Sequence, residues 1–182
     1  LERAEENYNA SRLPEAESIC EEILKATPDN PAAIQLLGLI AYQVGKHDIA
    51  ADYIGRALDI QPDWPEAHNN LGIVLHQQEK LEEAIACYQK ALAIRPTFAE
   101  PHSNMGLALQ SLGRTEEAIA SYQQALAIRP DYAEALQNLG TTFRLQNKPE
   151  MASTSYRNAI NIKPDYFEAH FNLAVTYTML GR

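Results

Sequence analysis

The stretch EAHNNLG at residues 66–72 returns three times with small changes, as EPHSNMG at 100–106, EALQNLG at 134–140 and EAHFNLA at 168–174. Its second asparagine therefore recurs every 34 residues, at Asn70, Asn104, Asn138 and Asn172. Prolines keep the same interval, at residues 28, 62, 96, 130 and 164. A fixed period of this length is the sequence signature of a repeat architecture, in which each unit packs against its neighbours.

Each period contains two helical patterns separated by a short turn. Within residues 65–98, side chains at helical spacing define two faces: His68, Leu71 and Leu75, then Ala84, Tyr88 and Ala91. Small residues recur at Gly72, Gly106 and Gly140, and large aromatic ones at Tyr88, Tyr122 and Tyr156. A proline closes each period, because it lacks the N–H that would continue a helix. The sequence predicts tandem helical hairpins whose small residues let the two helices approach closely.

These columns resemble the tetratricopeptide repeat (TPR), whose pattern W-x2-L-G-x2-Y…A-x3-F…P also has a period of 34. The resemblance covers nearly the whole chain and implies an all-α fold, a right-handed α-solenoid of tandem helix-turn-helix hairpins. Its expected repeats lie at 1–30 (partial), 31–64, 65–98, 99–132, 133–166 and 167–182 (first helix only). We expect a single TPR solenoid over residues 1–182, with about five hairpins and a terminal helix at 167–180.

Composition and charge narrow the class of partner. Hydrophobic residues make up 46% of the chain and charged residues 21%, which is the globular range. No apolar run approaches the ~18–20 residues that span a bilayer. The formal net charge of −9 and the lack of a Lys/Arg run disfavour nucleic acid and anionic membrane surfaces. The expected partner is therefore a neutral or basic protein or peptide.

The two cysteines, Cys20 and Cys87, are too few and too far apart for a disulfide framework. They are expected to be buried thiols in a reducing compartment. No targeting segment identifies that compartment, and the cytoplasm is favoured.

The residues that could carry chemistry do not converge. His68, His102 and His170 share the fourth position of the repeat, and first helices roughly 8–10 Å apart are too far for one zinc ion. The carboxylates cluster at helix N-termini, where negative charge complements the helix dipole. No Walker A loop, G-x-S-x-G, HExxH or CxxC occurs. We expect no catalytic residue, metal or cofactor in this region, although the parent chain could carry an enzyme domain.

The binding face is predicted from the first helix of each hairpin, which lines the concave groove of a TPR solenoid. Counting position 1 at residues 31, 65, 99, 133 and 167, positions 2, 5, 6, 9, 12 and 13 form one stripe. The residues predicted to bind a peptide there are Asn70, Asn104, Asn138, Asn172, Asn69, Gln35, Gln137, Ile73, Leu107, Thr141, His76, Gln110 and Arg144. This mixture of apolar and uncharged hydrogen-bonding groups suits an extended peptide.

Charge in the groove is predicted to exclude acidic tails. Position 2 carries a carboxylate in four repeats, at Glu66, Glu100, Glu134 and Glu168. Arg144 is the only cation that the pattern places in the groove.

The asparagine column predicts recognition of a peptide backbone. A carboxamide can accept from a peptide N–H and donate to a peptide C=O at once. With first helices ~10 Å apart and an extended peptide advancing ~3.3 Å per residue, each asparagine would meet about every third ligand residue. Leu36 interrupts the column in residues 31–64. The alternative is a structural role, in which each asparagine bonds to a neighbouring helix or to water.

We call the column of asparagines at position 6 the asparagine ladder. Together with the NLG and NLA motifs, the ladder resembles the TPR superhelix of O-linked N-acetylglucosamine transferases. In that family the asparagines hold the backbone of the substrate polypeptide. The resemblance implies the same role for Asn70, Asn104, Asn138 and Asn172.

Three functions remain open. The first is a scaffold that binds an extended peptide or a partner segment in its groove. The second is a substrate-recruiting arm of a larger enzyme such as a glycosyltransferase, which a nucleotide-sugar-binding domain beyond Arg182 would support. The third is a self-assembling scaffold that stacks through the 167–180 helix. Phe171, Val175, Met179 and Leu180 are expected to be partly uncovered there, so the parent protein is expected to continue or another molecule to cover this helix.

Overall fold

The computed structural model describes residues 1–181, which form eleven helices and no strand. The helices are α1 Glu2–Asn9, α2 Leu13–Ala26, α3 Pro31–Gln43, α4 His47–Ile60, α5 Pro65–Gln77, α6 Leu81–Ile94, α7 Ala99–Ser111, α8 Thr115–Ile128, α9 Ala133–Leu145, α10 Pro149–Ile162 and α11 Phe167–Met179. The prediction of an all-α fold with five hairpins and a terminal helix is confirmed. The terminal helix ends at Met179, one residue earlier than predicted.

The chain divides into two compact units, Leu1–Pro96 and a second unit that begins at Thr97. In the first unit the hairpins are α1/α2, α3/α4 and α5/α6, and α2 packs on α3 and α4 on α5. In the second unit α7/α8 and α9/α10 are hairpins, α8 packs on α9, and α10 packs on α11. The single continuous solenoid over residues 1–182 stays a prediction. None of the helices in residues 1–181 combines the length and apolar content that crossing a bilayer requires.

Glycine and tyrosine fit together inside the hairpins. A Cβ added at Gly72 would lie 2.5 Å from Cε1 of Tyr88, and one at Gly106 would lie 2.6 Å from Cε1 of Tyr122. The tyrosine rings are fully buried, with 1% of Tyr88 and 0% of Tyr122 exposed. The ring of the second helix thus occupies the space that the missing side chain of the first helix leaves, as the two columns predicted.

The turn inside each hairpin has one conformation whichever residue occupies it. Position 15 of the repeat is left-handed at Ser11, Gly45, Glu79, Gly113, Asn147 and Gly181, with φ between 57° and 76°. After the first five of these positions, the next residue donates its N–H to the carbonyl five residues earlier, as from Lys80 to Leu75 at 2.9 Å, which is the Schellman closure of a helix. Glycine adopts this conformation without strain, as at Gly45 and Gly113. The sequence did not predict that Glu79 adopts the same backbone conformation.

Candidate peptide-binding site

The four asparagines at position 6 lie half-buried on the first helices α5, α7, α9 and α11. Within residues 1–181, the carboxamides of Asn70, Asn138 and Asn172 make no hydrogen bond to another side chain or to the backbone. The backbone carbonyl of Asn138 accepts from Thr142 at 2.9 Å, and that of Asn172 accepts from Thr176 at 2.7 Å. Hydrogen bonds to a neighbouring helix therefore do not explain why asparagine occupies these three positions.

Position 5 is more enclosed than the stripe predicted. Gln35 is 7% exposed, Asn69 6% and Ser103 2%. The first helices contact one another within each unit, α3 with α5 and α7 with α9. Side chains that face the neighbouring first helix are therefore shielded from solvent. Gln137 stays half-buried. A ligand would therefore meet position 6 more readily than position 5.

Two polar residues of the stripe are tied to the core tyrosines of the second unit. Oε1 of Gln110 accepts hydrogen bonds from Oγ1 of Thr142 at 2.8 Å and from the hydroxyl of Tyr122 at 3.4 Å. The hydroxyl of Tyr156 donates to Oγ1 of Thr141 at 3.1 Å. These bonds fix the orientation of Gln110 and Thr141 from behind, so both side chains are held in place by the core.

The remaining predicted residues give the stripe an apolar and weakly polar character. Ile73 and Leu107 are half-buried at position 9. Burial lowers the pKa of His76, because it disfavours the charged form of the imidazole. Nε of Arg144 is buried and has no hydrogen-bond partner in the described part of the chain.

Two arginines that the sequence did not place beside the carboxylates of position 2 lie next to them in the structure, and the prediction that Arg144 is the only cation in the groove stays a prediction. Arg95 lies 2.7 Å from Glu66, and Arg129 lies 2.7 Å from Glu100. In each case the end of a second helix reaches back to the start of its own first helix. The two carboxylates are therefore paired, which weakens the argument that position 2 repels acidic ligands. Arg129 also lies over the ring of Tyr132, 3.5 Å from its centroid.

The histidines at position 4 make a local bond instead of a shared site. Nε2 of His68 lies 2.8 Å from the carbonyl oxygen of Pro62, and His170 makes the same contact with Pro164 at 2.8 Å. A carbonyl only accepts, so Nε2 carries the proton in both rings. Each ring thereby joins the start of a first helix to the proline before it.

Metal-binding and reactive groups are sparse in the described residues. Histidine, cysteine and acidic side chains form no group of three or more that could hold a metal ion within residues 1–181. Cys20 and Cys87 are both buried, as predicted. Burial raises the pKa of Cys20 to about 11 and also raises the pKa of Cys87. Neither thiol is activated as a nucleophile.

One cleft of the first unit was not predicted from the sequence. It has a volume of about 240 Å³ and lies between α1, α3 and the residue that caps α5. Its lining residues include Glu5, Tyr8, Gln35, Leu36, Leu39 and Trp64. They come from two repeats and from different positions within each, so no single column of the alignment brings them together.

Comparisons with known proteins find family models that match parts of this chain. Residues 74–113 match the family model described as TPR repeat, and residues 97–165 match the one described as Tetratricopeptide repeat. Residues 9–91 match the model of Anaphase-promoting complex, cyclosome, subunit 3. Residues 74–165 are therefore similar to tetratricopeptide repeats. No curated protein matches its sequence.

Solved structures share the fold at low sequence identity. PilW, a type IV pilus biogenesis factor, is 23% identical with a TM-score of 0.86 over 98% of this chain and 87% of that chain. MamA is 21% identical with a TM-score of 0.77 over 88% and 94%. YrrB, a TPR protein with an unusual peptide-binding site, is 23% identical with a TM-score of 0.72 over 92% and 87%. The proteins named here include no O-linked N-acetylglucosamine transferase, so that likeness stays a prediction.

Proposed function

We propose that this chain is a non-catalytic scaffold that binds an extended segment of a partner protein along its first helices. Asn104, Asn138 and Asn172 hold the ligand backbone in the second unit, and Asn70 has the same role in the first. A substrate-recruiting arm of a larger enzyme would use the asparagines in the same way. The partner segment is neutral or basic, in keeping with the net charge of −9.

One observation carries this proposal. The asparagines at position 6 are half-buried, and three of the four carboxamides have no bonding partner within residues 1–181. Asparagine is a mediocre helix former, so helix stability does not explain the column. A carboxamide that is not used by the fold retains one acceptor and two donors, which is what a peptide group needs.

The test is a backbone methylation scan of a ligand. A peptide of about 15 residues is selected for binding from a random displayed library, and each of its amide nitrogens is methylated in turn. We expect affinity to fall about three- to tenfold at roughly every third residue, because each lost hydrogen bond costs about 0.5–1.5 kcal/mol.

Alanine substitution at the same ligand positions is the matched control. It keeps the backbone N–H and is expected to change the affinity by less than about twofold where the ladder binds. A ligand that tolerates methylation everywhere but loses affinity on side-chain truncation would rule the ladder out.

A second candidate, self-association, is favoured by the exposed aromatic side chains of α11. Phe167 is 74% exposed and Phe171 59% exposed, and the two rings stack with centroids 6.5 Å apart. If this surface binds another copy, the mass measured by light scattering rises with concentration. The double variant Phe167→Ser/Phe171→Ser is then expected to stay at the monomer mass. A wild-type chain that remains monomeric at about millimolar concentration would exclude this candidate.

A further inference from the structure

The 240 Å³ cleft of the first unit lies on the same helical face as the asparagines, in the repeat where the column is interrupted. Gln35, Leu36 and Leu39 occupy positions 5, 6 and 9 of α3, and Leu36 stands where other repeats have asparagine. The end of α1 and the cap of α5 complete the walls. The cleft is small compared with a pocket for a drug-sized ligand, and its size suits a single side chain.

The walls of the cleft are aromatic and aliphatic. Tyr8 and Trp64 are half-buried and present two aromatic rings. Leu36 is 5% exposed and belongs to the core cluster against which Tyr8 and Leu39 pack. Such walls accept the aliphatic part of a long side chain and offer ring faces to a cation.

The one charged group of the cleft within residues 1–181 is a carboxylate, and the carboxamide oxygens of Asn9 and Gln35 are further acceptors for a positively charged donor. Glu5 is the only charged residue among the described residues that line it, and it forms no ion pair within them. Gln35 is nine-tenths buried, and its carboxamide makes no hydrogen bond to another described residue. An acidic side chain would meet like charge here, and an apolar one would leave Gln35 unpaired.

We propose that this cleft is a pocket for an arginine side chain of the bound peptide. The guanidinium stacks on Tyr8 and Trp64 and bonds to the carboxylate of Glu5 and the carboxamide oxygen of Gln35. Its aliphatic stem covers Leu36 and Leu39. Arginine is preferred to lysine because a planar guanidinium both stacks on rings and binds a carboxylate with two parallel bonds. The inference rests on the proposed function. It adds selection of one ligand side chain to a face whose asparagines bind the ligand backbone.

The experiment uses Trp64, which is the only tryptophan of the chain, as a built-in reporter. The whole chain is titrated with the peptide acetyl-Gly-Ser-Arg-Ser-Gly-amide while the indole N–H resonance and the fluorescence of Trp64 are followed. Peptides with lysine, norleucine or glutamate in the central place are the comparison set. We expect the arginine peptide to bind at least about fivefold tighter than the norleucine peptide, and the glutamate peptide to cause no saturable shift. Equal affinity for arginine and norleucine would overturn the pocket.

A charge-removing variant separates recognition from folding. Glu5→Gln keeps the shape of an exposed side chain and is expected to lower the affinity for the arginine peptide at least about twofold, with norleucine binding unchanged. Glu2→Gln, on the same helix but outside the cleft, is the control and is expected to keep the full arginine preference. An undiminished arginine preference in Glu5→Gln would contradict the assignment of this carboxylate.

The experiments distinguish an error in the arginine-pocket proposal from an error in the asparagine-ladder proposal. Asn104→Ala/Asn138→Ala/Asn172→Ala is expected to leave the Trp64 response to the arginine peptide intact, because those residues belong to the second unit. If longer peptides depend on these asparagines while Trp64 shows no arginine preference, the pocket is wrong and the scaffold stands. If Trp64 selects arginine while the asparagine variant binds longer peptides as well as wild type, the ladder is wrong.

Discussion

Replacing Tyr122 with Ala is expected to lower the free energy of unfolding by about 3–5 kcal/mol, the usual cost of removing a large buried aromatic side chain. Tyr122 is fully buried, and its ring lies where a Cβ at Gly106 would stand. The cavity cannot be filled from the glycine side, because Gly106 has no side chain to move into it. The measurement is urea-induced unfolding followed by circular dichroism. Tyr122→Phe is expected to cost about 1 kcal/mol at most, because among residues 1–181 the hydroxyl makes only one long bond, to Gln110 at 3.4 Å.

The same packing predicts a coupling between the two positions. Gly106→Ala places a methyl group 2.6 Å from the ring, and overpacking costs about 1–3 kcal/mol against about 1 kcal/mol gained in helix propensity. In the Tyr122→Ala background this clash is gone, so the double variant should cost less than the sum of the singles. Gly55→Ala is the control, because no atom lies within 4 Å of its added Cβ, and it is expected to stabilise by about 0.5–1 kcal/mol. A Gly106→Ala variant as stable as Gly55→Ala would contradict the packing account.

Replacing three asparagines of the second unit is expected to produce the largest change in binding. In Asn104→Ala/Asn138→Ala/Asn172→Ala the selected peptide loses the partners of three backbone groups, at about 0.5–1.5 kcal/mol each. The predicted total of about 1.5–4.5 kcal/mol corresponds to a loss of affinity between about tenfold and a thousandfold. Isothermal titration calorimetry measures it.

Two controls separate this loss from a general effect. Asn158→Ala/Asn161→Ala removes exposed asparagines from the second helix α10 and is expected to change the affinity by less than about twofold. The triple variant is expected to keep its circular dichroism spectrum, because alanine is the better helix former. Binding within about 0.5 kcal/mol of wild type would refute the ladder.

The fold was predictable from sequence because its determinants lie within one period. The proline and glycine columns identify where helices end and where they approach, and the tyrosine column identifies what fills the space between them. These are local or nearly local relations, so a 34-residue period reveals them without coordinates. The first helices begin at residues 31, 65, 99, 133 and 167, in step with that period.

The electrostatics of the site were less predictable because they depend on the angle between helices. Arg95 and Glu66 each have a local explanation as charges that complement a helix dipole. Only the folded hairpin shows that the two side chains meet at 2.7 Å, although they stand 29 residues apart in sequence. The same limit applies to Gln35, which a helical wheel places on an open face and which the contact between α3 and α5 encloses.

The left-handed conformation at position 15 was also hard to predict, because different residue types occupy that position. Gly45 and Gly113 indicate a left-handed position, and Glu79 at the same place does not. Packing of the flanking helices imposes the backbone conformation, so the residue type is a poor guide to it.

The most direct test of backbone recognition combines the ligand and protein changes in one cycle. The affinity of the selected peptide is measured with and without the N-methyl group that weakens binding most near Asn138, against wild type and against Asn138→Ala. If the Asn138 carboxamide binds that peptide group, methylation weakens binding to wild type about three- to tenfold and has no further effect on the variant. Equal losses in wild type and variant at every methylated position, for Asn138 and likewise for Asn104 and Asn172, would contradict recognition through the asparagines.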